Sequence, residues 1–336
     1  MGDHRSADCL DSAESWSISI RITELCGSGR SRDPNRLLLP SASHARVRLL
    51  TRHSSKPGFG PGFDASLRLR SVPSGCDLGR ISIRHVSSVI LNAMTWWFAV
   101  VESKHELQNP TSADKVRLLG ERLDLGPKSN VLDMGSGRAG PAVLLAATFG
   151  CHITCVEQSE EFLGAAKERI KQAGVESLVE LVHLDAKEFP LEPDRYDSAL
   201  CLGASFIWGG FAETVEALRP GVRAGGFVTV GEPYWHSWPL PDEFEPDEGY
   251  DFMTLAETVA RFETRGVELV TVIASSQDDW DRYESLHWFA IEEWLHENPE
   301  DPDAERFRGM AEHNRDIYLR WQRDLLGWGI FVGRKR

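Results

Sequence analysis

A doubly wound, mostly parallel α/β sheet is the fold class this sequence predicts, and three observations predict it. From about residue 112 onward, short β-like runs alternate with segments of helical period. The helical segments carry their own stop and start signals, such as Ser159 before one and Gly174 after it. One apolar run also stops at Gly135-Ser136-Gly137 and gives way to a second helical pattern. Strands and helices alternating at this spacing build a parallel sheet with helices on its faces.

The elements follow in order. "SADKVRLLGERLDL" is helical, with Val116, Leu118, Leu119, Leu123 and Leu125 on one face. "NVLDM" reads as a buried strand and "PAVLLAATFG" as a helix closed by Gly150. "HITCVEQ" is the next strand, followed by the helix "SEEFLGAAKERIKQAG". "VELVHLDA" and "YDSALCLGA" are the third and fourth strands, "FAETVEALRPG" a helix, and "GGFVTVGEPYW" the fifth strand. "HSWPLPDEFEPDEGYD", rich in proline and acids, reads as a long exposed loop that could gate a site. "TLAETVARFETRG" is a helix and "VELVTVIAS" a sixth strand. Two helices follow, near 279–297 and 302–325, and "GWGIFVGRK" closes the chain as a seventh strand. On the first of these helices Trp280, Tyr283, His287, Trp288, Ile291 and Trp294 recur at helical spacing, a stripe that reads first as core packing.

Residues 1–93 differ from everything after them. They hold 17 serines and 12 arginines with one lysine, and show no sustained period. The reading is a disordered or non-native extension before a domain at 94–336. Met94 opens the organised pattern, and eight acidic residues argue against a targeting segment. The apolar stretch from Val86 to Val101 falls short of the roughly 20 residues a membrane span needs.

Charge excludes one class of partner. Residues 1–93 carry 13 Lys and Arg against 8 Asp and Glu, but the remainder carries 24 against 43. A body this acidic repels a phosphate backbone, so nucleic acid is not expected as a partner. Six cysteines (Cys9, Cys26, Cys76, Cys151, Cys155, Cys201) are too few for a disulfide scaffold, and the Cys151/Cys155 spacing matches no zinc pattern. The expectation is a reducing, cytoplasmic compartment, free thiols and no metal site. Oligomeric state is not legible.

The chemistry concentrates at "VLDMGSGRAG", Val131 to Gly140. Its last six letters spell GxGxxG, which would suit a dinucleotide whose pyrophosphate rests on a helix N-terminus. Asp133, two places before the first glycine, argues otherwise: a carboxylate in that cleft repels a pyrophosphate and attracts a cation. Together with Glu157, Asp185 and "ALRPGVRAGGFVTV", in which Gly225-Gly226 would make a tight turn into the fifth strand, this pattern resembles the class I S-adenosylmethionine-dependent methyltransferases. The resemblance covers roughly Met94 to Arg336. It is closest to a small, mostly bacterial subgroup with "ExxHxxxNP" (Glu102, His105, Asn109, Pro110), "GASFIWGGF", "GEPYW", "WDRYE" and "GWGIF" in that order.

The resemblance implies a seven-stranded sheet whose last strand is antiparallel, here with a helical insertion before it. It implies S-adenosyl-L-methionine as cofactor, held by the Asp133-x-Gly135-x-Gly137 motif, by Glu157 on the ribose hydroxyls, and by Asp185 with the Ala186 N–H on the adenine. It also implies methyl transfer, expected here to a small-molecule acceptor beyond strands four and five. There Glu232 and Tyr234 are candidate catalytic groups, His105 is a candidate base, and Trp208 and Trp235 are candidate walls. Arg282 and Tyr283 are weaker candidates. An NAD-dependent oxidoreductase and a non-catalytic S-adenosylmethionine-binding module are the alternatives.

Overall fold

The computed structural model describes residues 98–244, 246 and 252–336, with the backbone of three earlier strands. Those strands are β1 (Ile18–Glu24), β2 (Ala45–Thr51) and β3 (Ser66–Arg68), an antiparallel sheet in the order β1-β2-β3. The chain divides into two compact units, Met1–Val86 and Ser87–Arg336. Met94, residues 86–97 of the apolar stretch, and Cys9, Cys26 and Cys76 lie outside the described residues.

In the second unit seven strands form one sheet: β4 (Asn130–Met134), β5 (His152–Glu157), β6 (Val179–His183), β7 (Tyr196–Leu202), β8 (Val222–Trp235), β9 (Val267–Ala274) and β10 (Leu326–Lys335). Their order is β6-β5-β4-β7-β8-β10-β9. The pairs β4/β5, β5/β6, β4/β7 and β7/β8 are parallel, while β10 runs antiparallel to both β8 and β9. Strand order reverses between β4 and β7. A crevice opens at such a reversal, beyond the carboxyl ends of the strands, and it places any ligand beside Asp133 and Gly203.

The helices sit where local chemistry starts and stops them. The Ser112 hydroxyl accepts from the Lys115 N–H at the head of α1 (Ala113–Arg122). Helix α2 (Gly140–Phe149) leaves the glycine loop, and α3 (Glu160–Ala173) starts on the Ser159 cap and ends at left-handed Gly174. On the opposite face lie α4 (Phe211–Leu218) and α5 (Leu255–Glu263), the latter opened by a Thr254/Glu257 capping box. Two buried clusters result, one on each face of the sheet. Alternation along β4 feeds both, with Val131 in one and Leu132 and Met134 in the other.

The insertion before β10 is α6 (Gln277–Glu297) and α7 (Ala304–Ile317), continued through a π-turn at Tyr318–Gln322 to Leu325. One expectation needs correction here. Gly225-Gly226 is not a turn ahead of the fifth strand: β8 already begins at Val222, and Gly225, at φ 74°, bends it from within. The register shift opposite, between Tyr196 and Ser198, marks the same irregularity. At Gly231 the missing Cβ admits the buried Trp328 indole, which a side chain there would meet at 2.6 Å.

Helix α6 is fixed at its start by Asp279, whose side chain is buried. It accepts from the Ser276 N–H at 2.9 Å, completes the capping box, and pairs with Lys115 on α1. Asp279→Ala removes the box and strands the Lys115 ammonium. The expected cost is about 3 kcal/mol of stability, read by urea unfolding.

Candidate functional site

The loop between β4 and α2 is built for close approach of a ligand to its backbone. Gly135 (φ 66°), Gly137 (φ 55°) and Ala139 (φ 55°) are all left-handed, and α2 starts immediately after them. At Gly137 a Cβ would run into the Gln108 amide, so the glycine also lets a neighbouring segment cross the loop. Asp133 is 2% exposed. Burial, and then the charge of Glu157, push its carboxyl up to about 7. Among the described residues neither Asp133 nor Glu157 has a Lys or Arg partner. Two adjacent carboxylates without a counter-ion suit a cationic ligand and disfavour a pyrophosphate.

Glu157, at the end of β5, shapes the loop itself. Its carboxylate accepts from the Gly137 N–H at 2.9 Å and from the Ser159 N–H at 2.8 Å. Each oxygen retains a second acceptor position. Asp185, half-buried after β6, accepts from the Lys187 N–H at 2.9 Å, and buried Ala186 follows it. Glu157 ends β5 and Asp185 follows β6, the two strands beside β4 in the sheet.

Across the loop lies the segment carrying Glu102, His105, Gln108, Asn109 and Pro110. Gln108 accepts from the Arg138 N–H at 2.6 Å, and Asn109 donates to the Leu202 carbonyl at 3.0 Å. Arg169 of α3 donates to the carbonyls of His105 and Glu106 at 3.1 and 2.8 Å. The segment is therefore tied to both the glycine loop and the end of β7, which fixes Glu102 and His105 over the crevice.

Glu102 and His105 join α6 in a buried polar cluster. The Tyr283 hydroxyl donates to Glu102 Oε1 at 3.0 Å, and His287 Nε2 lies 3.0 Å from the same oxygen. His105 Nε2 donates to the Tyr283 carbonyl at 2.9 Å, and its Nδ1 lies 3.3 Å from Glu102 Oε2. His287 Nδ1 faces Glu284 at 3.7 Å. Burial opposes charge on His287, but its bonds to Glu102 and Glu284 hold its pKa at about 9. Burial lowers the pKa of His105. For Glu102 burial raises the pKa, but the His287 hydrogen bond and the histidine charges outweigh it and hold it below the usual carboxylate range.

A cavity of about 620 Å³ opens beside this cluster. Gly203 and Ser205 after β7, Glu232 and Pro233 of β8, and Gln108 and Asn109 of the crossing segment form its floor. Trp280, Tyr283, His287, Trp288 and Ile291 of α6 form one wall, and Ala311, Asn314 and Ile317 of α7 another. Phe206, 75% exposed, also lines it.

The structure thus brings together Glu232, Glu102 and the cluster, but not every candidate. Tyr234 is buried in the apolar core, its ring against Gly327 and edge-on to His236. Trp235 packs in the core with Phe244 and Phe252. Trp208 packs against the second core cluster. His105 is 2% exposed, beneath Glu102 and off the cavity lining. The Arg282 guanidinium is taken up by the Thr111 carbonyl and Asp279. The aromatic stripe was expected to be core, and only part of it is. Trp280 belongs to the buried core and Tyr283 and Trp288 pack against it, yet these three, His287 and Ile291 also line the cavity, while Trp294 lies tilted against Phe307 outside that core. His287 and Gln108, not among the candidates that the sequence offers, also line the cavity. The histidine among the aromatics at helical spacing was the signal for the first, and nothing local signals the second. Cys151, Cys155 and Cys201 are buried free thiols, as expected. Among the described residues no helix is long and apolar enough to cross a membrane.

A family model of the methyltransferase domain matches residues 131–226. The chain is 34% identical over 239 residues to protein YjhP of Escherichia coli K12, covering 70% of this chain and 96% of that one. A crystal structure from Thiobacillus denitrificans, of a SAM-dependent methyltransferase in complex with S-adenosyl-L-homocysteine, superposes with a TM-score of 0.65 at 34% identity. It covers 71% of this chain and 98% of that one. The corresponding complex from Geobacter sulfurreducens gives 0.66 at 34% identity, over 72% and 98%.

Proposed function

The chain belongs to the class I S-adenosylmethionine-dependent methyltransferases, and from that premise we propose that it methylates a small-molecule acceptor held in the cavity between β7, β8 and the α6–α7 insertion. Family membership sets the nicotinamide reading of the glycine loop aside. The observation that carries the acceptor reading is the cavity itself. It is concave, walled by aromatic rings, lined by Gly203 at the end of β7, and of a size that suits a small ligand.

The cofactor fits the residues present. Asp133, buried without a cationic partner among the described residues, is placed to hold a positively charged group, and left-handed Gly135 and Gly137 keep side chains out of its way. Glu157 and Asp185 keep acceptor capacity for hydroxyl and amino groups beyond the backbone bonds they already make, and the N–H of Ala186 completes the set. When bound, the cofactor supplies an electrophilic methyl carbon on a sulfonium. The chain's own part is alignment and exclusion of water. Residues of α6 and α7 wall the cavity, and the fixed crossing segment holds one side of it against the loop. Glu232, at the carboxyl end of β8, is the carboxylate placed to accept a proton from an acceptor in the cavity. His105 acts one step back, as a positioning residue behind Glu102.

Incubation with S-adenosylmethionine and fractionated cell extract tests this reading. Release of S-adenosylhomocysteine is expected with the low-molecular-weight fraction. Transfer of a labelled methyl group into nucleic acid or protein instead would overturn it.

A further inference from the structure

We propose that Glu102, His105 and His287 form a binding site for one divalent transition-metal ion, facing the cavity. The argument starts from hydrogen positions. His105 Nε2 lies 2.9 Å from the Tyr283 carbonyl, an acceptor only, so the ring proton sits on Nε2 and Nδ1 presents a lone pair. That lone pair points at Glu102 Oε2, 3.3 Å away. Neither atom makes a hydrogen bond, although both are enclosed and the two residues are 2% and 5% exposed. Two facing lone pairs in a buried site repel one another unless a proton or a metal ion lies between them.

The surroundings match those of a metal ligand set. Each of the three side chains offers one donor atom, all within 4.8 Å of one another. Two ligands of one ion at about 2.1 Å are at most about 4.2 Å apart, so loading draws the cluster in by roughly half an ångström. The far ring nitrogen of His105 has an acceptor in the Tyr283 carbonyl, and that of His287 faces the Glu284 carboxylate at 3.7 Å, within ion-pair range. Ligating histidines are oriented in this way. The Tyr283 hydroxyl steadies Glu102 in turn, at 3.0 Å. Arg138 binds the Glu102 backbone carbonyl, which leaves the carboxylate to the histidines. Two imidazoles and one carboxylate select ions such as zinc, cobalt, nickel or iron over magnesium or calcium. Glu102 and His287 line the cavity, so coordination positions the protein leaves open face that space. The inference does not rest on the nature of the acceptor, because metal binding is read without turnover.

The test is titration of the untagged, chelator-treated full chain with Co2+, followed by visible absorption. One equivalent is expected to bind with a d–d band, to be displaced by Zn2+, and to be unmoved by excess Mg2+. His287→Asn, on the cavity wall, and the more buried His105→Asn should each weaken Co2+ binding at least about tenfold with the far-UV circular dichroism unchanged. X-ray absorption of the cobalt-loaded wild type, which needs no variant, should count two imidazole ligands. The proposal is overturned by absence of saturable Co2+ binding, by a cobalt shell without imidazole, or by a folded His287→Asn protein that binds as the wild type does.

Discussion

Asp133→Asn is expected to weaken S-adenosylmethionine binding by about a hundredfold or more while making the cofactor-free protein more stable at pH 8. The side chain keeps its shape and loses only its charge. Removing one partner of a buried charge pair typically costs about 2–5 kcal/mol of affinity. The gain in stability follows from the raised carboxyl. Its pKa is about 7 in the folded protein, well above the ordinary aspartate value of about 3.9. The folded state therefore holds the proton more tightly than the unfolded one. Stability is intact below about pH 4 and is lost progressively as pH rises to 7, where ionisation costs on the order of 4 kcal/mol. Asparagine carries no such penalty. Wild-type cofactor affinity should in turn fall about tenfold per pH unit below 7 and level off above it, because a cation must displace the Asp133 proton. The variant should show a flat profile. Calorimetry in two buffers of different ionisation enthalpy reads the released proton. An unchanged affinity in Asp133→Asn would remove the loop from cofactor binding.

Ala311→Trp is expected to lower methyl-transfer kcat/KM at least about tenfold while leaving S-adenosylmethionine affinity unchanged within about twofold. Ala311 stands on α7, lines the cavity, and touches none of the groups assigned to the cofactor. An indole there fills acceptor space from the α7 wall. Turnover is read as S-adenosylhomocysteine release with the active low-molecular-weight fraction, and affinity by calorimetry on the same preparation. Equal turnover in the variant and the wild type would place the acceptor elsewhere. Loss of both turnover and cofactor binding would show that α7 supports the crevice rather than the cavity.

The cofactor was legible because each of the signals for it is local. Asp133 and the two glycines lie within five residues of one another, while Glu157 ends one strand and Asp185 stands two residues past another, both strands identified by periodicity alone. The acceptor half was only partly legible. Tyr234 looked equivalent to Glu232, two positions earlier on the same strand. Yet Glu232 lines the cavity, while Tyr234 fills the space that Gly327 leaves on β10. Both stand opposite a glycine of β10, Gly329 and Gly327, so neither the strand pattern nor the cross-strand partner separates them.

Taken alone, the sequence determined the fold class, the order of the elements and the cofactor chemistry. Periodicity, caps and a charged glycine loop act over a few residues and need no partner to be recognised. Only the tertiary structure decided what the α6 stripe faces and what Glu102 meets. Glu102 and His287 stand 185 residues apart, and His105 and Tyr283 178 apart. An aromatic row at helical spacing buries itself or lines a cavity according to what packs opposite. For α6 that is the segment of residues 98–110, tied down by Gln108, Asn109 and Arg169 through contacts that no local pattern encodes.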